Sequence, residues 1–126
     1  MIGRRYAIPL KSRVALERIF ESPVDGIIVI ENSLYARAHL GMSATTRPNR
    51  ILLAISGAEF AANPELMLHE YFHVIRQWRP GRLTRWRYLT ESARRGYQAN
   101  RFEQEAREFV ATARARFDRY LAELPQ

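Results

Sequence analysis

The most informative part of the chain is residues 64–78, with the sequence PELMLHEYFHVIRQW. Asn63 before it is a favourable helix cap, and Pro64 suits the first position of a helix. At about 100° per residue, the apolar side chains fall on one broad face, and His69 and His73 fall on the opposite face. The pattern predicts a helix that packs through its apolar face and presents both histidines to a cleft.

The same helix contains an HExxH pattern, HEYFH, at residues 69–73. Two histidines four positions apart lie on one side of a helix and can bind the same zinc ion. Glu70 lies beside such an ion, where it can take a proton from water. The spacing predicts a zinc site with His69 and His73 as ligands and Glu70 as the general base. The alternative is a pair of surface histidines on an amphipathic helix.

A zinc hydrolase needs a third protein ligand and keeps a fourth position for water. The candidates are His39, upstream of the motif, and Glu103, Glu105 and Glu108 in the C-terminal helical segment. Glu103 falls at the edge of the apolar stripe of that segment. A carboxylate there is costly to bury unless a cation meets it, which favours Glu103 as the ligand. An ion pair between Glu103 and Arg107 is the alternative.

The remaining patterns predict a small sheet and three more helices. The predicted helices span 11–21, 84–95 and 100–124, the strands span 26–35 and 50–56, and 41–49 has the composition of a loop or an irregular strand. No linker or repeat divides the chain. We expect one α+β domain over residues 1–126, in which the sheet packs on the HExxH helix.

The composition excludes several classes of protein. The chain has 126 residues, of which 47% are apolar and 26% charged, as in a globular domain. It has no cysteine, which excludes disulfides and thiolate metal sites. There is no signal peptide pattern and no apolar stretch of membrane-spanning length. We therefore expect a cytoplasmic location and no membrane partner, with export by a non-classical route left open.

The HExxH pattern is followed by an ExEA pattern, Glu103-Gln104-Glu105-Ala106. This combination resembles the glutamate-zincins, or gluzincins. Its short spacing is similar to that of the minigluzincins, and of the CAAX-processing and heat-shock zinc peptidases without their membrane helices. The passage at residues 44–53 is similar to the metalloprotease-like core domain of bacterial toxin and contractile-injection proteins. The resemblance covers about residues 40–110.

The resemblance implies a compact zincin-like fold, with the sheet above the active-site helix and a strand such as 50–56 at the sheet edge. It implies that Glu103 is the third ligand of one zinc ion per chain. The sequence departs from the pattern where many relatives carry an aspartate that hydrogen-bonds a ligating histidine, because Arg107 stands there. Glu91 and Glu65 are candidates to replace that aspartate.

Seven arginines lie between residues 76 and 95, interleaved with Trp78, Trp86 and Tyr88, and the net charge of the chain is +7. Arginine with aromatic residues is one signature of nucleic-acid binding, but it is also typical of solvated helix faces. A basic rim would also favour acidic substrates or a peptide C-terminus. We expect nucleic acid not to be the partner, because these arginines span two helices and a turn.

The sequence predicts a zinc metallopeptidase that acts on a peptide or protein substrate, with Glu70 as general base. If strand 50–56 is the exposed edge, it would hold an extended substrate by main-chain hydrogen bonds. Tyr97 is a candidate oxyanion donor, or else a packing residue. The alternatives are a catalytically idle zinc-binding interaction module and, less favoured, a basic nucleic-acid-binding domain. Spacing indicates neither the cleavage specificity nor the oligomeric state.

Overall fold

A computed structural model describes residues 3–37, 43–96 and 100–124, and it confirms the α+β class. The strands are β1 (Arg4–Tyr6), β2 (Ile28–Glu31), β3 (Ala44–Arg47) and β4 (Arg50–Leu53). The helices are α1 (Leu10–Phe20), α2 (Leu34–Arg37), α3 (Gly57–Ala61), α4 (Pro64–Phe72), α5 (Arg85–Arg95) and α6 (Arg101–Glu123). A π-helical segment, His73–Trp78, continues directly from α4. Among the residues described, no helix is both long and apolar enough to cross a membrane.

The four strands form one mixed sheet in the order β1-β2-β4-β3. Strands β2 and β4 are parallel, and each edge strand is antiparallel to its neighbour. The expectation that 50–56 forms the sheet edge is therefore wrong. The short hairpin from β3 to β4 places Thr45 opposite Leu52 and covers that side of β4 with β3, so that β3 is the edge. The turn between them includes Asn49, whose φ of 56° suits asparagine.

The elements that the sequence pattern did not predict are short. β1 has three residues, α2 has four and α3 has five. α2 begins inside the predicted strand 26–35, which ends at Glu31 in the structure. β1 lacks apolar alternation, and its backbone pairing with β2 places it in the sheet. α3 begins with a capping box, in which the Ser56 hydroxyl accepts a hydrogen bond from the Glu59 amide and Glu59 accepts one from the Ser56 amide. These elements are too short to show a hydrophobic period, although Phe60 of α3 is buried in the core and Tyr6 of β1 packs against it.

The core lies where α1, α4 and α6 pack together against the sheet. The ring of Phe109 from α6 lies 5.2 Å from that of Phe20 on α1 and 4.7 Å from that of Phe72 on α4. Because α4 and α6 each contribute to this core, their spacing and rotation are fixed. The fixed rotation determines which side chains of the two helices meet outside the core.

Phe117 of α6 is fully buried in this core. We expect Phe117→Ala to lower the free energy of unfolding by about 3–5 kcal/mol, because it leaves a cavity and removes buried apolar surface. Urea denaturation measures the loss. The control is Leu10→Ala, at a side chain that is 71% exposed, which should change stability by about 0.5 kcal/mol or less. Equal losses in the two variants would contradict the assigned core.

Candidate metal centre

The HExxH residues lie at the junction between α4 and the π-helical segment. The Asn63 side chain accepts a hydrogen bond from the Leu66 amide at 3.1 Å and so caps α4 as predicted. The apolar face of α4 is buried, with Met67 and Tyr71 almost inaccessible to solvent. This packing leaves the histidine side of the helix facing α6.

His69, His73 and Glu103 meet at one point. Nε2 of His69 and Nε2 of His73 lie 2.9 Å and 3.2 Å from Oε1 of Glu103, and the two nitrogens are 3.2 Å apart. Ligand atoms held tetrahedrally at zinc bond lengths are separated by roughly 3.3 Å. Two imidazole nitrogens and one carboxylate oxygen are a donor set that suits zinc. The three residues therefore fit a metal ion of this kind.

Two of the other candidates for the third ligand, Glu105 and Glu108, are not in the group formed by His69, His73 and Glu103. Glu105 accepts hydrogen bonds from Gln77 and Arg82, and Glu108 is exposed. His39 lies outside the described residues. Glu103 is 5% exposed and contacts both histidines. Glu103, predicted from its position at the edge of the apolar stripe, is thus the glutamate that contacts the histidines. His73 is buried, so the alternative of two surface histidines does not hold.

The electrostatics of the cluster of His69, His73 and Glu103 favour positive charge. Burial opposes ionisation of Glu103, but the hydrogen bonds and charges of His69 and His73 outweigh it and hold the pKa of Glu103 well below its ordinary value. Burial also acts to lower the pKa of His73, yet the hydrogen bond to Glu103 and the charges of Glu70 and Glu103 raise it to about 9. An ionised carboxylate beside two imidazoles is an electrostatic environment that suits a cation.

Glu70 is buried beside the cluster, with only 6% of its surface exposed. Burial raises the pKa of Glu70, and the charges of His73 and His69 oppose this shift. The charges of both histidines therefore act on the Glu70 carboxylate. Glu70 directly follows His69 in the chain and is the candidate proton acceptor.

Gln77 accepts a hydrogen bond from His73 and so fixes its orientation. This is the role that the resemblance gives to an aspartate. The Gln77 amide nitrogen donates to Glu105 at 2.7 Å and to the Phe102 carbonyl at 3.1 Å, so the Gln77 side-chain oxygen is the acceptor facing His73. Nδ1 of His73 donates to that oxygen at 2.6 Å. Arg82 donates to the second oxygen of Glu105 at 2.9 Å. A protonated Nδ1 leaves Nε2 as the nitrogen that could bind a metal ion.

The acids suggested for this role lie elsewhere. Glu91 pairs with Arg95, and Glu65 pairs with Arg114. The signal for Gln77 is its position four residues after His73, which places it one turn along the same helix face. Its location in the π-helical segment was not predicted, although widened turns of this kind are frequent at functional sites.

We expect Gln77→Leu to weaken zinc binding about 10–100-fold, because the side chain of similar size cannot accept the His73 hydrogen bond. Competition with a chromophoric chelator measures the affinity. Gln77→Glu, which retains an acceptor, should bind more tightly than Gln77→Leu. Gln104→Leu makes the same change at an exposed position of α6 and should leave the affinity unaltered. Equal affinities of Gln77→Leu and the wild type would contradict the role of Gln77.

Tyr88 of α5 is a second site residue that the sequence did not single out for this role. Its hydroxyl donates to Oε2 of Glu103 at 2.8 Å, which leaves Oε1 directed at the histidines. Asn100 ties the two helices together, because its amide donates to Ser92 at 2.9 Å and its oxygen accepts from the Phe102 amide. Tyr97, the earlier oxyanion candidate, lies outside the described residues.

Most of the seven arginines between residues 76 and 95 make contacts within the protein. Arg76 lies over the Phe20 ring, Arg79 donates to Asn49 and Ser22, Arg82 pairs with Glu105, Arg87 donates to the Gly81 and Arg82 carbonyls, and Arg95 pairs with Glu91. These contacts join the arginines to loops and to neighbouring helices.

Comparison of the chain with sequence models of protein families, with curated proteins and with solved structures finds no significant match. The resemblance to gluzincins therefore rests on the motifs and on the geometry of His69, His73 and Glu103.

Proposed function

We propose that this chain is a zinc-dependent peptidase of the gluzincin type with a zincin-like fold. The observation that carries the proposal is the meeting of His69 and His73 with Glu103 from another helix. Glu70 is buried, and the charges of the three residues act on it. When bound, a zinc ion supplies Lewis-acid chemistry to such a site. The rest of the reaction depends on the chain's own residues.

Glu70 is the proton carrier in this proposal. Its carboxylate accepts a proton from the water that attacks the scissile carbonyl carbon, and later gives that proton to the leaving amine. Gln77 and Tyr88 do not take part in this transfer. They hold His73 and Glu103 in the orientations described above, so that the cluster needs little rearrangement when it binds a metal.

The edge strand β3 is the surface that best suits an extended peptide. An edge strand offers unpaired main-chain groups that a substrate can bind as an added strand. β3 also contacts the π-helical segment that carries His73, and the indole of Trp78 donates to the Thr46 hydroxyl at 3.0 Å. The substrate-binding role first considered for strand 50–56 is therefore assigned to Ala44–Arg47.

The test is cleavage of a broad peptide library by the zinc-loaded chain, with Glu70→Gln prepared identically. Cleavage by the wild type alone supports the peptidase. If neither protein cleaves but both bind zinc, the chain is a metal-binding interaction module instead.

A further inference from the structure

Helix α5 presents an apolar surface directly to solvent. Trp86 is 79% exposed and Leu89 is 59% exposed, and Ala93 on the same side is also exposed. These positions are spaced i, i+3 and i+7, so they form a single stripe, here called the α5 apolar face. The only buried residue of α5 is Glu91 on its other side. The exposed apolar side chains therefore do not contribute to the core.

The α5 apolar face is bordered by positive charge without negative charge. Arg85 lies on one side and Arg94 on the other, both exposed, and neither forms an ion pair within the described part of the chain. Glu91, the one acid of α5, is held by Arg95. In α1 and α6, by contrast, carboxylates accompany the surface arginines, as in Arg13–Glu17 and Arg114–Asp118.

We propose that α5 is an interfacial helix that binds an anionic lipid surface. Tryptophan and leucine on one face, with arginines at its borders, form the pattern of helices that lie in the headgroup region of a membrane. Nucleic acid is less well matched, because stacking would use Trp86 and leave Leu89 and Ala93 exposed. This proposal departs from the expectation of no membrane partner, which rested on the lack of a spanning segment.

This binding does not depend on the metal site, because Tyr88, which contacts Glu103, lies on the side of α5 away from the apolar face. A lipid surface bound by α5 would hold the whole chain at a membrane with the cluster of His69, His73 and Glu103 turned away from the lipid. A failure of lipid binding would therefore leave the proposed peptidase activity unaffected, and a failure of that activity would leave lipid binding unaffected.

The experiment measures co-sedimentation of the full chain with phosphatidylcholine vesicles and with mixed phosphatidylcholine–phosphatidylglycerol vesicles. We expect binding to the mixed vesicles only. Each arginine near an anionic surface contributes about fivefold in partitioning, so the double variant Arg85→Gln, Arg94→Gln should bind about 25-fold more weakly. Trp86→Ala should weaken binding about tenfold by removing the largest apolar side chain of the face.

The matched control is the double variant Arg116→Gln, Arg119→Gln, which removes the same charge from exposed positions of α6 and should retain binding. In a Trp78→Phe background, the fluorescence of Trp86 should shift to shorter wavelength on the mixed vesicles. Equal loss in both double variants would mean diffuse charge attraction and overturn the proposal. A lack of vesicle binding at low salt would also overturn the proposal. Quenching of Trp86 fluorescence by an oligonucleotide, or by an acidic protein, would then identify a different partner for this face.

Discussion

Zinc is expected to raise the free energy of unfolding of the wild-type chain by about 4 kcal/mol when its free concentration is a thousand times the Kd, because it binds the folded state alone. Glu103→Gln should raise the Kd more than about 100-fold and so reduce this stabilisation to about 1.4 kcal/mol or less at the same zinc concentration. The amide removes the single negative charge that contacts both histidines. Urea denaturation with and without zinc, together with the metal content, measures both effects.

The control for this experiment is Glu108→Gln, which makes the same substitution at an exposed position of α6. It should retain one zinc per chain and the full stabilisation. Glu105→Gln should have an intermediate effect, because Glu105 supports Gln77 without contacting a histidine ligand atom itself. A Glu103→Gln variant that binds zinc like the wild type would show that Glu103 is not the third ligand. His39→Ala would then be the next variant to measure.

The parts of the fold and site that the sequence predicts are those specified by neighbouring residues. Asn63 and Pro64 begin α4, and the spacing of His69 and His73 places both on one side of it whatever the rest of the chain does. Glu103 was predictable because a carboxylate at the edge of a buried stripe needs a positive partner. Each inference used only residues within or next to one helix.

The parts that were not predictable depend on pairing between distant residues. Which strand lies at the sheet edge depends on whether β3 pairs with β4, and the short polar sequence of β3 carries no clear periodicity. The hydrogen bond of Gln77 to His73 is local, but the one that orients its amide joins it to Glu105, twenty-eight positions away. Tyr88 contacts Glu103, fifteen positions away. No local pattern specifies such contacts, because they follow from how α4, α5 and α6 pack.

The Glu70→Gln variant is expected to lose peptidase activity about 10²–10⁴-fold, which is the usual contribution of a positioned general base. The amide has nearly the shape of the carboxylate and fits the same buried position, but it cannot accept a proton from water. Zinc content should stay at the wild-type value, because Glu70 is not one of the three residues whose ligand atoms meet. Steady-state cleavage of a peptide from the library, with metal analysis of the same samples, measures both quantities.

Glu65→Gln is the matched control for this loss, since Glu65 lies in the first turn of the same helix and is exposed at its contact with Arg114. It should retain full activity. In the proposed mechanism Glu70 moves the proton and a bound metal polarises the substrate, so the two functions should separate. We expect Glu70→Gln to keep zinc without turnover and Glu103→Gln to lose both. Equal cleavage by Glu70→Gln and the wild type would point to a contaminating protease. Loss of both zinc and activity in Glu70→Gln would mean that Glu70 supports the metal cluster rather than the proton transfer.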